Sequence, residues 1–361
     1  MSSIVYGGLD VHKKSITAYL VSDETGEVIT EELPNERERL VKSVRRWKRQ
    51  GELRLCYEAS GAGYVIKRWL DEEHVHCDVI APSLIPKAPA DRVKTDRRDA
   101  RRLANLYAAG LLRVVHMPGA QEETVRALVR LREDLTRDMT RSKNRITKYL
   151  GTLGHYYQEG RPWTQKHRDW LHRLNLEELQ RVIVESHLGV LDGLSMQRQG
   201  LDRRIEEIAR TEPYRQKVAR LMSLRGIGLY SAMVLVTEIG DVARFAKAGQ
   251  LMSYFGLVPS EDSTGDTRRR GPITRAGSKR ARWILTEAAW NQLRRPGNCE
   301  RLRKHWQEQP EAVVAIGRKA EKRLHEKFRK LLVRKDRNKA ATAVARELAG
   351  FVWAMLRVEV A

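Results

Sequence analysis

Asp10, Glu58, Asp96 and Asp99 are the residues of this chain whose type and spacing could do chemistry. Asp10 closes an apolar run, IVYGGLD, and Glu58 stands near the end of another, LRLCYEA. Both runs read as strands, so each carboxylate stands at a strand end. Asp96 and Asp99 are three apart at the start of a stretch that reads as helix, which puts them on one face. Like charges so placed repel unless a cation lies between them. Metal-dependent phosphoryl transfer uses such hard oxygen ligands for Mg2+, because the ion offsets charge on the attacking and leaving oxygens. Each residue also has an ordinary reading: Asp is common in turns, and Asp96 or Asp99 could cap a helix or pair with Arg97, Arg98, Arg101 and Arg102. The conjunction of the four carries more than any one of them.

A second group lies in YFGLVPSEDSTGDTRRRGPITRAGSKRARWILTEAAW. The hydroxyls Ser260, Ser263 and Thr264 precede a stretch holding Arg268, Arg269, Arg270, Arg275, Lys279, Arg280 and Arg282 against Asp266. A serine that attacks a phosphodiester needs cations around the phosphorus, so the composition permits phosphoserine chemistry. By composition alone the stretch reads as a flexible basic loop that binds phosphates. Just upstream, in LMSLRGIGLYSAMVLVTEIGD, Gly226-Ile227-Gly228 separates two apolar helices. The pattern looks like a helix-hairpin-helix, whose second helix N-terminus grips a phosphate without reading bases. An ordinary turn between packed helices is the plain alternative. Trp283 and Trp290, seven apart, read as core anchors. The basic run at 318–339 reads as a solvated helix face or a phosphate contact.

Composition narrows the class. With 41% hydrophobic and 32% charged residues among 361, the chain is too apolar for wholesale disorder and too polar for a membrane protein. No uncharged apolar run reaches the roughly 18 residues of a membrane span, and MSSIVYGGLD does not resemble an export signal. Three cysteines, Cys56, Cys77 and Cys299, show no C-x-x-C and argue against a disulfide framework or zinc knuckle. No histidine pairs with cysteine at metal-ligand spacing, and His74 and His76 read as solvated. A soluble, cytoplasmic protein is expected. The 68 Lys and Arg exceed the 46 Asp and Glu by 22, and the excess is spread along the chain rather than confined to one anchoring helix. Nucleic acid is therefore the expected partner, with no membrane role.

The elements that must position these residues follow from periodicity. Strands at the start of the chain, a helix from about 36 to 50, a strand ending at Glu58, a helix after Gly61-Ala62-Gly63, the strand CDVIAP and a helix from Thr95 predict an α/β domain. Helical spacing over 120–149 and 177–210 predicts an extended antiparallel helical pair or coiled coil, with GHYYQEGRPW as a loop between. Residues 216–295 form a Gly-rich unit, and 311–361 are helical and basic.

These residues carry a resemblance. GLDVHKKSITAYLV, CYEASGAGY and KTDRRDARRLANL resemble the N-terminal half of the IS110 insertion-sequence transposases, a group that includes the IS1111 branch and the Piv-type DNA invertases. The resemblance implies an α/β plus α architecture: a RuvC-like domain of ribonuclease H fold at 1–118, a helical coiled-coil dimerisation segment at 119–215, and a mainly helical transposase domain with a helix-hairpin-helix-like motif at 216–361. It places a DEDD tetrad of Mg2+ ligands on Asp10, Glu58, Asp96 and Asp99. GLVPSEDSTG and RRRGPITRAG are similar to the family's C-terminal domain, where a loop serine is the nucleophile. Matching from the downstream Arg-Gly and Ala-Gly anchors gives Ser263, counting from Pro259 gives Thr264, and Ser260 is third.

The function so implied is excision and insertion of the protein's own mobile element through a phosphoserine intermediate, by a dimer or tetramer with a composite site. An element-encoded non-coding RNA would choose the DNA. Nucleic-acid contacts are expected at Gly226, Gly228, Arg268, Arg269, Arg270, Arg275 and Lys279. A RuvC-like Holliday-junction nuclease, a Piv-type invertase and a non-catalytic architectural protein are the alternatives.

Overall fold

The computed structural model describes residues 3–59, 61–86, 95–264 and 267–358, without the side chains of Ser263 and Arg268. The chain forms two compact units, Met1–Pro118 and Gly119–Ala361.

The first unit is built on a mixed five-stranded sheet. Strands β1 (Ile4–Val11), β2 (Ser15–Ser22), β3 (Val28–Pro34), β4 (Glu52–Glu58) and β5 (His76–Ile80) lie in the order β3-β2-β1-β4-β5. β1 runs antiparallel to β2 and parallel to β4, and β5 is parallel to β4. β1 is central and covered on both faces, which is why it reads as an almost continuous apolar run.

One face is buried by helices α1 (Arg37–Trp47) and α2 (Val65–Glu72). Leu40, Val44 and Trp47, with Ile66 and Leu70, join Val5, Leu9, Leu55 and Tyr57 in one core. Side chains alternate along a strand, so Gly8 and Cys56 face the other way. Helix α3 (Asp96–Ala108) lies there, with Leu103 against Cys56 and Ile80.

Gly8 fixes how close α3 comes. A Cβ at this position would stand 2.2 Å from the Ala100 carbonyl oxygen and 2.6 Å from the Ala104 nitrogen. These are backbone atoms that cannot step aside, so the helix backbone lies directly on the strand only because residue 8 has no side chain. The C-terminal end of α3 is tied to β5 by Tyr107, whose hydroxyl donates to Asp78 at 2.7 Å.

The second unit is almost wholly helical: α4 (Ala120–Thr152), α5 (Gln165–Arg173), α6 (Glu178–Ala209), α7 (Arg215–Met222), α8 (Leu229–Ile239), α9 (Ala248–Tyr254), α10 (Lys279–Trp290), α11 (Glu300–Gln307), α12 (Glu311–Leu332) and α13 (Arg337–Leu356). A hairpin of β6 (Pro259–Thr264) and β7 (Thr267–Ile273) is inserted between α9 and α10. α4 and α6 pack antiparallel. Val125 and Val129 join Ile205 and Ala209 at one end, Arg132 bonds Asp202 at 2.8 Å, and Ile146 and Leu150 join Val184 and Leu188 at the other end. The core of the unit gathers around α8 and α13, apolar on nearly every side and buried accordingly. Among the described residues no helix is long and apolar enough to cross a membrane.

Two expectations need correction. The stretch after Pro259 is a paired hairpin rather than a flexible loop, with Glu261 opposite Arg270 and Asp262 opposite Arg269. Cross-strand pairs of opposite charge supply what its apolar content lacks. Trp283 is 51% exposed and anchors no core, whereas Trp290 packs at 5.7 Å from the Phe328 ring. Helix α5, capped by the Thr164 hydroxyl, follows the GHYYQEGRPW loop and was not foreseen.

Gly8→Ala should therefore displace α3 from the sheet. Overpacking of this kind costs about 1–3 kcal/mol, read as a lower calorimetric melting midpoint. Gly61→Ala, where a Cβ meets nothing within 4 Å, should leave the midpoint unchanged.

Candidate active site

The register of the parallel strands sets two of the four predicted carboxylates side by side. Leu9 lies opposite Tyr57, so Asp10 and Glu58, each one residue further, stand at neighbouring strand ends on the α3 face. α3 begins with Thr95 as its cap, the hydroxyl accepting from the Arg98 N–H at 3.4 Å. Neither Asp96 nor Asp99 is needed as the cap. Both sit in the first turn, where the free N–H groups favour negative charge.

Asp96 reaches the sheet end through a residue that the sequence reading passed over. The His12 Nε2 lies 3.2 Å from Asp10 Oδ2 and 3.4 Å from Asp96 Oδ1. Asp10, His12 and Asp96 each offer a ligand atom within 4.8 Å of the others. The signal for His12 was present: in a strand, residues 10 and 12 share a face. Asp99 lies near enough to act on Asp10 by charge. Glu58 is exposed and does not join the close group.

The Asp10 side chain is 17% exposed against 52% for His12 and 55% for Asp96. Burial, its largest perturbation, holds its pKa above the usual carboxylate range. His12 pulls it down, while Asp96 and Asp99 push it up. Crowded acids with one neighbouring imidazole make a site whose repulsion a cation would relieve. Carboxylate oxygens with one imidazole nitrogen fit a small divalent ion.

The second predicted group lies on the hairpin. Ser263, on β6, pairs in the backbone register with Arg268 on β7, and Thr264 with Thr267; the two side chains at Ser263 and Arg268, and all of Gly265 and Asp266, lie outside the described residues. Ser260 is turned to its own hairpin, its hydroxyl donating to the Pro272 carbonyl at 3.1 Å. Arg269, Arg270, Arg275 and Lys279 are exposed, and Arg270 reaches Glu261 at 3.7 Å. Arg280 and Arg282 serve the fold instead. Arg280 binds Glu133 at 2.6 Å and Asp134 at 3.0 Å, and Arg282 donates to the Phe255 and Ala276 carbonyls.

The glycine turn has a structural reason of its own. Gly226 has a positive φ of 85°, and a Cβ there would meet the Ala288 carbonyl oxygen on α10 at 2.7 Å. The turn is held by Arg225, buried against Glu321, and by Gln292, which donates to the Arg225 carbonyl at 2.9 Å. Gly228 caps α8.

Fold and site thus describe a mixed α/β domain consistent with the ribonuclease H type, carrying an acidic cluster at the end of its central strand, joined to a helical unit. Residues 7–154 match a DEDD-type IS110 model described as "Transposase", and residues 218–307 match the "Transposase IS116/IS110/IS902 family". The transposase for insertion sequence element IS1533 of Leptospira borgpetersenii is 33% identical over 92% of this chain and 97% of its own. Protein y4qE of Sinorhizobium fredii, whose name describes a transposase, is 37% identical over 84% of this chain and 75% of its own. The transposase for insertion sequence element IS1111A of Coxiella burnetii is 24% identical over 73% and 66%. The chain belongs to the IS110 family of transposases. Membership implies DNA binding and, in general terms, an enzyme that cleaves and recombines DNA; the DEDD-type domain suggests use of a divalent metal.

Added Mg2+ or Mn2+ should raise the melting midpoint of the wild-type chain over that in EDTA, by about 2.7 kcal/mol of stability at a hundredfold excess over the dissociation constant. Asp10→Asn and Asp96→Asn should lose that shift. A shift kept in both variants places the cation elsewhere.

Proposed function

We propose that this protein excises and inserts its own mobile element by strand exchange through a phosphoserine intermediate. The convergence of Asp10 and Asp96 at the end of the central strand, in a chain whose two units each match a transposase model, carries this reading. Asp10, Glu58, Asp96 and Asp99 would hold Mg2+. Bound there, Mg2+ would supply Lewis-acid stabilisation of charge on the scissile phosphate.

Ser263 attacks the phosphorus, with Thr264 as the competing hydroxyl. A serine–phosphate bond forms, a DNA oxygen leaves, and the serine proton ends on that released hydroxyl. Arg268, Arg269 and Arg270 on β7, with Arg275 and Lys279 after it, would offset the negative charge developing on the phosphate. A second DNA hydroxyl then attacks the phosphoserine, restoring Ser263 without net hydrolysis. Gly226 and Gly228, at the N-terminus of α8, offer backbone N–H groups to a phosphate.

The reading also gives the protein an oligomer with a site composed from two protomers, and a structured RNA from the element as guide. Support for the oligomer is the group of exposed apolar residues Leu179, Val182, Ile183 and Val190, which helical spacing puts on one side of α6. The charge of +22 leaves room for two nucleic acids.

The decisive test uses DNA carrying an element end. Wild-type protein should form a covalent adduct that survives denaturation. Ser263→Ala should abolish it, Thr264→Ala should retain it, and Asp10→Asn should reduce cleavage by at least about a hundredfold. Cleavage without an adduct in the wild type would point to water as nucleophile and a nuclease. Protein purified from the intact element should sediment as a dimer or tetramer, shifted toward monomer by Val182→Asp with Val190→Asp. It should carry one discrete RNA; random cellular RNA stripped by moderate salt would exclude the guide.

A further inference from the structure

We infer that His12 gives the cation a nitrogen ligand, making this a mixed oxygen–nitrogen site that favours Mn2+ over Mg2+ relative to an all-carboxylate one. The inference rests on the metal-binding reading of the acidic cluster. Its starting point is spacing. Neighbouring ligands of an octahedral ion with bonds of about 2.1 Å stand about 3.0 Å apart, and opposite ones about 4.2 Å. The His12 Nε2 is 3.2 Å from one carboxylate oxygen and 3.4 Å from the other, and all three atoms lie within 4.8 Å. The three donors already lie near the corners of one coordination shell.

The same nitrogen makes both approaches. Without an ion its N–H can bond Asp10 at 3.2 Å with Asp96 beside it at 3.4 Å, and with the ring proton on Nδ1 the lone pair of that same atom is available to an ion that all three share. His12 is also held in place although its ring is exposed. Its N–H donates to the Ser15 carbonyl at 2.9 Å, and its carbonyl accepts from Asn35 Nδ2 at 2.8 Å. The backbone is therefore pinned on both sides of the residue, directly after β1 ends at Val11. Imidazole is a poor partner for Mg2+, which prefers oxygen, and a good one for the softer first-row ions.

The test is Mn2+ titrated into the full-length, tag-free protein, followed by pulsed electron paramagnetic resonance. The wild type should bind Mn2+ and show modulation from a directly bound 14N. His12→Ala should still bind Mn2+ but lose the modulation, and its preference for Mn2+ over Mg2+ in competition should fall by about tenfold. Asp10→Asn and Asp96→Asn should weaken both ions together. Mn2+ binding that depends on Asp10 and Asp96 but shows no 14N modulation, or modulation that survives in His12→Ala, overturns the role of His12 and leaves the metal site standing. No Asp10- or Asp96-dependent binding of either ion overturns the metal site and this inference with it.

Discussion

The first unit depends on one missing side chain. At Gly8 the backbone of α3 touches the backbone of β1, and everything chemical in the unit follows from that contact. It sets the height of the helix above the sheet and lands the first turn of α3 over the end of the central strand. Asp96 can then meet Asp10 through His12. The unfavourable part is local: acids are crowded at one point, with Asp10 held above its ordinary range chiefly by burial. The favourable part is spread through the core on the opposite face, where Leu40, Val44 and Trp47 pack against the sheet. A site that repels itself is thus carried by a scaffold stabilised elsewhere, which is the usual division in metal-dependent enzymes.

The strands and helices of the first unit were legible in the sequence because their periodicities are clean. IVYGGLD and LRLCYEA are short apolar runs, and α1 repeats Leu40, Val44 and Trp47 at helical spacing. Asp10 and Glu58 could be placed at strand ends from pattern alone. Their distance from Asp96 could not, since it depends on how closely α3 approaches β1, and periodicity is silent on approach. His12 was visible as a strand neighbour of Asp10 but became meaningful only when α3 brought Asp96 to it. The hairpin at 259–273 escaped because hydrophobicity is the main strand signal, whereas acids paired across from arginines hold this ribbon. Trp283 misled for a related reason. Helical spacing tells which residues share a face, not whether that face is covered.

Much of the positive charge is already spoken for inside the fold. Arg225 is buried with Glu321, Arg130 grips Glu238 with two hydrogen bonds, and Arg323 and Lys327 both reach Glu347. The run at 318–339 therefore partly braces α12 against α13 at the surface rather than forming a uniform phosphate-binding face. On the hairpin, Arg270 likewise reaches Glu261. Arg269 on β7 and Arg275 just after it are exposed, where a polyanion can reach them.

The attachment of α4 gives the second unit a mechanical character. In its first half, Arg126 donates to the Thr237 carbonyl, Arg130 holds Glu238, and Glu133 and Asp134 hold Arg280 at the start of α10. In its second half it packs on α5, α6 and the loop between α4 and α5, around Ile146 and Leu150, with Lys143 over the Trp163 ring. With 33 residues, α4 is a rod of about 50 Å, braced by polar contacts along its first half and by a separate small apolar core at its second. Its grip on Arg280 falls seven residues after β7 ends, so the same helix that braces the core also anchors the return of the hairpin that carries Ser263.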